Sequence, residues 1–128
     1  MIEMRAVRPG EGPVIDAYGA DGFRINGVVY RGPVLVLGEG EVLPWGGLDD
    51  TARIAREVGR FEVLIVGTGV RMRPLPGPLQ ALAASEGFGA ESMNTPAACR
   101  AYNVLLGEAR RVAAALVPTG GPSDRPAA

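Results

Sequence analysis

The spacing of apolar positions changes several times along the chain, and each change marks an element. Residues 23–30 read Phe-Arg-Ile-Asn-Gly-Val-Val-Tyr. Asn26-Gly27 suits a two-residue type I′ turn, whose central positions both need positive φ. Such a turn pairs Ile25 with Val28 and Phe23 with Tyr30, placing these four on one face and Arg24 with Val29 on the other. A strand is expected before it, over residues 14–18, with Asp16 and Tyr18 on one face and a turn at 19–22. Residues 34–37, Val-Leu-Val-Leu, are apolar throughout, as in a strand covered on both faces.

The period then lengthens. Across residues 48–59, Ile54, Ala55 and Val58 form a helical stripe while Arg53, Arg56 and Glu57 face solvent. Asp49, Asp50 or Thr51 supplies the cap, and Gly59 stands at C′. Residues 61–66, Phe-Glu-Val-Leu-Ile-Val, make the run expected of the central buried strand, ended by Gly67-Thr68-Gly69. Strand, helix and strand form a crossover unit. After a Pro-punctuated loop at 71–77, Pro78 opens a helix over 79–85 that Gly87 and Gly89 close. A short strand over 90–93 follows. Asn94 or Thr95 then caps a helix starting at Pro96, with Ala98, Ala101, Tyr102 and Leu105 at i, i+3, i+4 and i+7. Residues 112–117, Val-Ala-Ala-Ala-Leu-Val, fit either more helix or a buried strand, and Gly107 as a stop favours the strand. The sum is an α/β domain with a mixed sheet, an N-terminal antiparallel hairpin and about three helices.

At 128 residues with 47% hydrophobic content, the chain suits one packed domain. That domain is assigned to residues 1–117, and the Pro/Gly/Ser-rich residues 118–128 read as a disordered tail. A net charge of −1 gives no field to recruit nucleic acid. No apolar run approaches the ~20 residues of a membrane helix, so no membrane insertion is expected. The N-terminal stretch reads as neither secretory signal nor transit peptide. One cysteine, Cys99, allows no internal disulfide, which fits a reducing compartment and a cytoplasmic location.

Histidine is absent, which removes imidazole bases, His-bearing zinc sites and histidine pH switches. Neither cofactor nor metal is called for. Gly67-Thr68-Gly69 ends the buried strand where α/β sheets favour ligands, and its N–H groups with Arg71 or Arg73 could hold an anion. The same small residues equally serve a tight turn. Thr95 opens a helix and could present free N–H groups, although capping alone accounts for it. Cys99 lies one turn inside that helix but lacks a histidine partner and reads better as a buried hydrophobe. Arg100 and Asn103 fall opposite the apolar stripe, displayed toward a partner or simply solvated. Trp45, in Leu-Pro-Trp-Gly-Gly, anchors an interface or covers the sheet edge.

The ordered set IDAYGADGFRINGVVYRG, LPW, VLIVGTG and TPAACRAYNVLLGE, closed by RRVAAAL, resembles the domain-of-unknown-function 498 (Mth938-like) family, which includes mitochondrial complex I assembly factor 3. The resemblance spans residues 14–116. It implies a three-layer α/β fold around a central mixed sheet, with the final segment as a strand. For function it implies a non-catalytic binding or assembly module working through a protein partner or a second copy. The alternative is an enzyme or sensor for a small anionic ligand at Gly67-Thr68-Gly69.

Overall fold

The computed structural model describes residues 12–120. In chain order it contains β1 (Ile15–Tyr18), β2 (Gly22–Ile25), β3 (Val28–Arg31), β4 (Val34–Leu37), β5 (Glu41–Pro44), α1 (Thr51–Ala55), β6 (Val63–Gly67), α2 (Gly77–Glu86), β7 (Gly89–Met93), α3 (Thr95–Gly107) and β8 (Val112–Leu116). A three-stranded antiparallel sheet runs β1-β2-β3, and a five-stranded mixed sheet runs β5-β4-β8-β6-β7.

The connections follow from handedness. β5 lies antiparallel to β4, and β4 antiparallel to β8, which β6 flanks in parallel, so β5, β6, β7 and β8 share one direction. Steps β5–α1–β6 and β6–α2–β7 move one way across the sheet, whereas β7–α3–β8 moves back. With one hand of crossover, reversing the step reverses the face that carries the helix. Accordingly Ile54 of α1 and Leu79 of α2 pack with Leu35, Leu64, Val66 and Ala113 on one face. Ala98, Cys99, Tyr102 and Leu106 of α3 pack with Val36, Ile65 and Ala114 on the other. The small sheet extends the α3 layer through Ile15, Phe23 and Ile25. The result is three layers around a sheet buried on both faces.

The hairpin forms as its residues dictate, with Asn26 and Gly27 at φ 48° and 80° and Ile25 paired to Val28, Phe23 to Tyr30. Asp50 caps α1 by accepting from the Arg53 N–H at 3.2 Å. Residues 112–116 form the strand that the Gly107 stop favoured.

Four expectations are corrected. The centre of the sheet is β8, with β6 beside it. β8 can sit there because its three alanines let layers close in from both faces. β5, unforeseen because its four residues end in Pro44, is an edge strand, where a missing donor is tolerated. α1 stops at Ala55 and the chain tightens into i→i+3 bonds, so the helix does not reach Gly59. Glu57 in that turn is buried, held by Arg60 at 2.6 Å and Arg53 at 3.6 Å, so it does not face solvent. Finally, a bulge at Asp16 breaks its shared face with Tyr18: Ala17 pairs with Arg24, Tyr18 with Phe23, and the Asp16 carboxylate accepts from the Gly27 N–H. Of the expected tail, the Thr119 and Gly120 N–H groups donate to the Gly19 and Ala20 carbonyls at 3.1 Å, and residues 121–128 lie outside the described residues.

Ala114 lies at 0% exposure among the side chains packed beneath α3. Replacing it with Leu should lower the stability of the domain by about 1–3 kcal/mol through overpacking, read as a reduced urea midpoint.

Candidate functional site

The carboxyl ends of β6 and β7, the start of α3 and the end of β8 meet at one place. β6 ends in Gly67 because a side chain there has no room. A Cβ would stand 2.8 Å from Leu116 Cδ2, 3.0 Å from Thr95 Oγ1 and 3.1 Å from Ala98 Cβ. Gly69 follows at φ 101°, a conformation that suits glycine. Two fully buried threonines organise the junction. The Thr95 hydroxyl donates to the Val117 carbonyl at 2.7 Å and accepts from the Gly69 N–H at 2.8 Å. The Thr95 N–H returns a bond to the Gly69 carbonyl at 2.8 Å. The Thr68 hydroxyl donates to the Arg71 carbonyl at 2.7 Å, with the Met93 carbonyl at 3.2 Å also in reach, and accepts from the Arg73 N–H at 3.0 Å.

These bonds fix what the loop can offer. The Gly69 N–H, the donor an anion would need, is already committed to Thr95. Thr95 is a clamp, and Asn94 is the helix cap, accepting from the Ala97 N–H at 2.9 Å. Arg71 is exposed at the tip, between Val70 at 53% and Met72 at 61% exposure. Four sequence-derived candidates, Gly67, Thr68, Gly69 and Thr95, are thus brought together inside a structural junction, with Arg71 displayed outside it.

The remaining candidates lie apart. Trp45 is buried against the α1 and α2 layer, and its indole N–H donates to the Asp50 carbonyl at 3.0 Å, which is the covering role. Arg100 is exposed on α3. Asn103 is not displayed with it. Its side-chain oxygen accepts from the Ile15 N–H at 3.0 Å and its amide donates to the Ile15 carbonyl at 2.9 Å, so it docks β1 onto α3 like one more strand residue. Helical periodicity could not show this, because the partner lies 88 residues away. Burial pushes the Cys99 thiol up to about 12, against a small lowering by Arg100. It also raises the Tyr102 phenol, whose hydroxyl donates to the Pro13 carbonyl at 2.7 Å. Neither group is ionised at neutral pH. No cluster of three or more His, Cys, Asp or Glu side chains suited to a metal occurs among the described residues. No helix among them is long and apolar enough to cross a membrane.

Sequence reasoning passed over Arg24, Val29 and Arg31 on the outer face of the small sheet. There a cleft of about 300 Å³ is lined by these residues together with Tyr18, Asp21 and Tyr30. The available signal was Val28-Val29: in a strand, one of two adjacent apolar residues must face away from the core.

A three-layer α/β domain with a mixed sheet and a small antiparallel sheet on the α3 side is the class of protein these features define. The model of the family described as "Protein of unknown function (DUF498/DUF598)" matches residues 15–117, and the chain belongs to that family. An uncharacterised protein of Rhodobacter capsulatus is 45% identical over 107 residues, covering 84% of this chain and 86% of that protein. Human NADH dehydrogenase (ubiquinone) 1 alpha subcomplex assembly factor 3 is 33% identical over 114 residues, covering 84% of this chain. The chain spans 61% of the length of that assembly factor. Among solved structures, one described as an outer membrane protein from Bartonella henselae matches with TM-score 0.74 at 37% identity, covering 86% of this chain and 97% of that one. A Mth938-like domain from Bordetella pertussis matches with TM-score 0.73 at 26% identity, covering 94% and 93%.

Thr95→Val keeps the shape and removes the hydroxyl. It should cost about 1–3 kcal/mol by stranding the buried Gly69 N–H, with faster amide exchange at Gly69 as the local readout. The Cys99 thiol, raised from 9.0 to about 12 in the folded state, keeps a proton that the unfolded chain releases. Its contribution is intact below pH 9.0 and is lost as pH rises toward about 12. Urea midpoints should therefore fall across that window.

Proposed function

We propose that this chain is a non-catalytic binding module of assembly-factor type, acting through a protein partner. The observation that carries the reading is its kinship, over 84% of its length, with proteins named as complex I assembly factors. The chemistry of the strand ends supports it. The two buried threonine hydroxyls are both spent on backbone partners, and the thiol and the phenol nearest the junction are held neutral by burial. A rigid loop that displays Val70, Arg71 and Met72 while satisfying its own polar groups suits contact with another protein. The cytoplasmic placement rests on the lone cysteine, Cys99, which forms no internal disulfide.

Native mass spectrometry on the protein gently purified from its own host tests this. A stoichiometric protein partner is expected. A retained small anion with no protein partner would overturn the reading and restore the anion-binding alternative at Gly67-Thr68-Gly69.

A further inference from the structure

The small sheet holds much of the exposed apolar surface of the described residues. Val14, Tyr18, Val28 and Val29 are 37%, 45%, 52% and 57% exposed, and all lie on it or at its rim. The register sets its outer face: Ala17, Arg24 and Val29 stand in a row across the three strands, with Arg31 two residues beyond Val29 and opposite Gly22. Gly22 has no side chain to fill this face, and a Cβ there would meet the Tyr30 carbonyl oxygen at 2.0 Å. The cleft of about 300 Å³ opens here.

Two further features converge on the cleft. Among the described residues, the side chains of Arg24 and Arg31 have no ion pair or hydrogen bond, whereas Arg60 engages Glu39, Glu41 and Glu57. Among the described residues β3 is also an open edge. Across a two-residue hairpin the pair flanking the turn is hydrogen-bonded and the bonds alternate from there. Val28 and Tyr30 therefore turn their backbone groups to β2, and Val29 and Arg31 turn theirs outward.

We propose that β3 and the cleft beside it dock an extended, acidic segment of a partner protein. The segment adds as a fourth strand to the small sheet, sets carboxylates on the outer face against Arg24 and Arg31, and puts its alternate apolar side chains on the other face, beside Val28 and Tyr30. This rests on the protein-partner reading above and specifies the chemistry of the partner. Backbone bonds to Val29 and Arg31 supply affinity, and the arginines, forked donors for carboxylates, select for acid. Asp21, the one acid lining the cleft, biases against an all-acidic segment and favours alternation with apolar residues. A second copy is a poor occupant. Edge-to-edge pairing about a two-fold axis would bring the Arg24 and Arg31 of both protomers onto one face.

The test uses a fluorescent peptide of alternating valine and glutamate, its valine-lysine counterpart, and three variants of the full chain. Arg24→Glu with Arg31→Glu reverses the charge. Val29→Pro removes the outward N–H without touching the β2–β3 bonds. Arg56→Glu reverses an exposed charge at the end of α1, outside the cleft. Binding of the valine-glutamate peptide is expected, with amide shifts at Val29 and Arg31. The charge pair and Val29→Pro should each weaken it by about tenfold or more, and Arg56→Glu should leave it unchanged. Equal binding of the lysine peptide, or unchanged binding in the doubly reversed variant, overturns the proposal. If Val29→Pro does not fold, the charge pair alone decides. Benzoate binding that is lost on charge reversal but kept in Val29→Pro would make the cleft a small-acid site and likewise overturn it. If a partner found by native mass spectrometry is still held by the charge pair and by Val29→Pro, this surface fails while the partner reading stands.

Discussion

One hydroxyl, that of Thr95, joins three segments where the ends of β6 and β8 meet the head of α3. It accepts from Gly69 just past β6 and donates to Val117 just past β8, while its own N–H bonds back to Gly69 at the head of α3. Buried hydroxyls without partners are costly, and here both donor and acceptor capacity are used. Gly67 and Ala98 are small where they face this hydroxyl, so the helix can sit close on the sheet. Ala114 of β8, beneath α3 on the same face, leaves the same room.

The junction also decides what the strand ends can do. In open α/β sheets this is where ligands commonly sit, because loop N–H groups point outward. Here the N–H groups of Gly69 and Arg73 turn inward to threonine oxygens. The polar capacity that would build a pocket is spent on rigidity, and the exposed part of the loop is Val70, Arg71 and Met72. That division leaves a closed interior with a displayed tip.

The small sheet follows a different logic. Asn103 satisfies both backbone groups of Ile15, so the sheet is fastened to α3 by hydrogen bonds as well as by Phe23 and Ile25. Fastened on its inner face, it can leave its outer face and its β3 edge bare. The four-residue edge carries Arg31 with Arg24 on the same face, and among the described residues neither side chain has a partner, so like charge resists self-pairing. The family assignment over residues 15–117 covers both sheets, so the feature belongs to the folded domain.

Local chemistry was enough for the elements whose cause is local. Asn26-Gly27 demanded its turn, Asp50 its cap, Pro78 its helix start, and the period of Ala98 to Leu105 its helix, each within a few residues of the chain. The ordered motifs also carried the family and hence the layer architecture. Tertiary structure decided the rest. It made β8 central and β6 its neighbour, drew Glu57 inward to Arg60, turned Asn103 from a displayed residue into an anchor for β1, and converted Thr95 from a cap into a clamp. It also set Arg24 and Arg31 side by side on one outer face of the small sheet. The physical reason is the same in each case. The energy of a buried polar group depends on which partner reaches it, and those partners come from chain positions that periodicity and propensity do not connect.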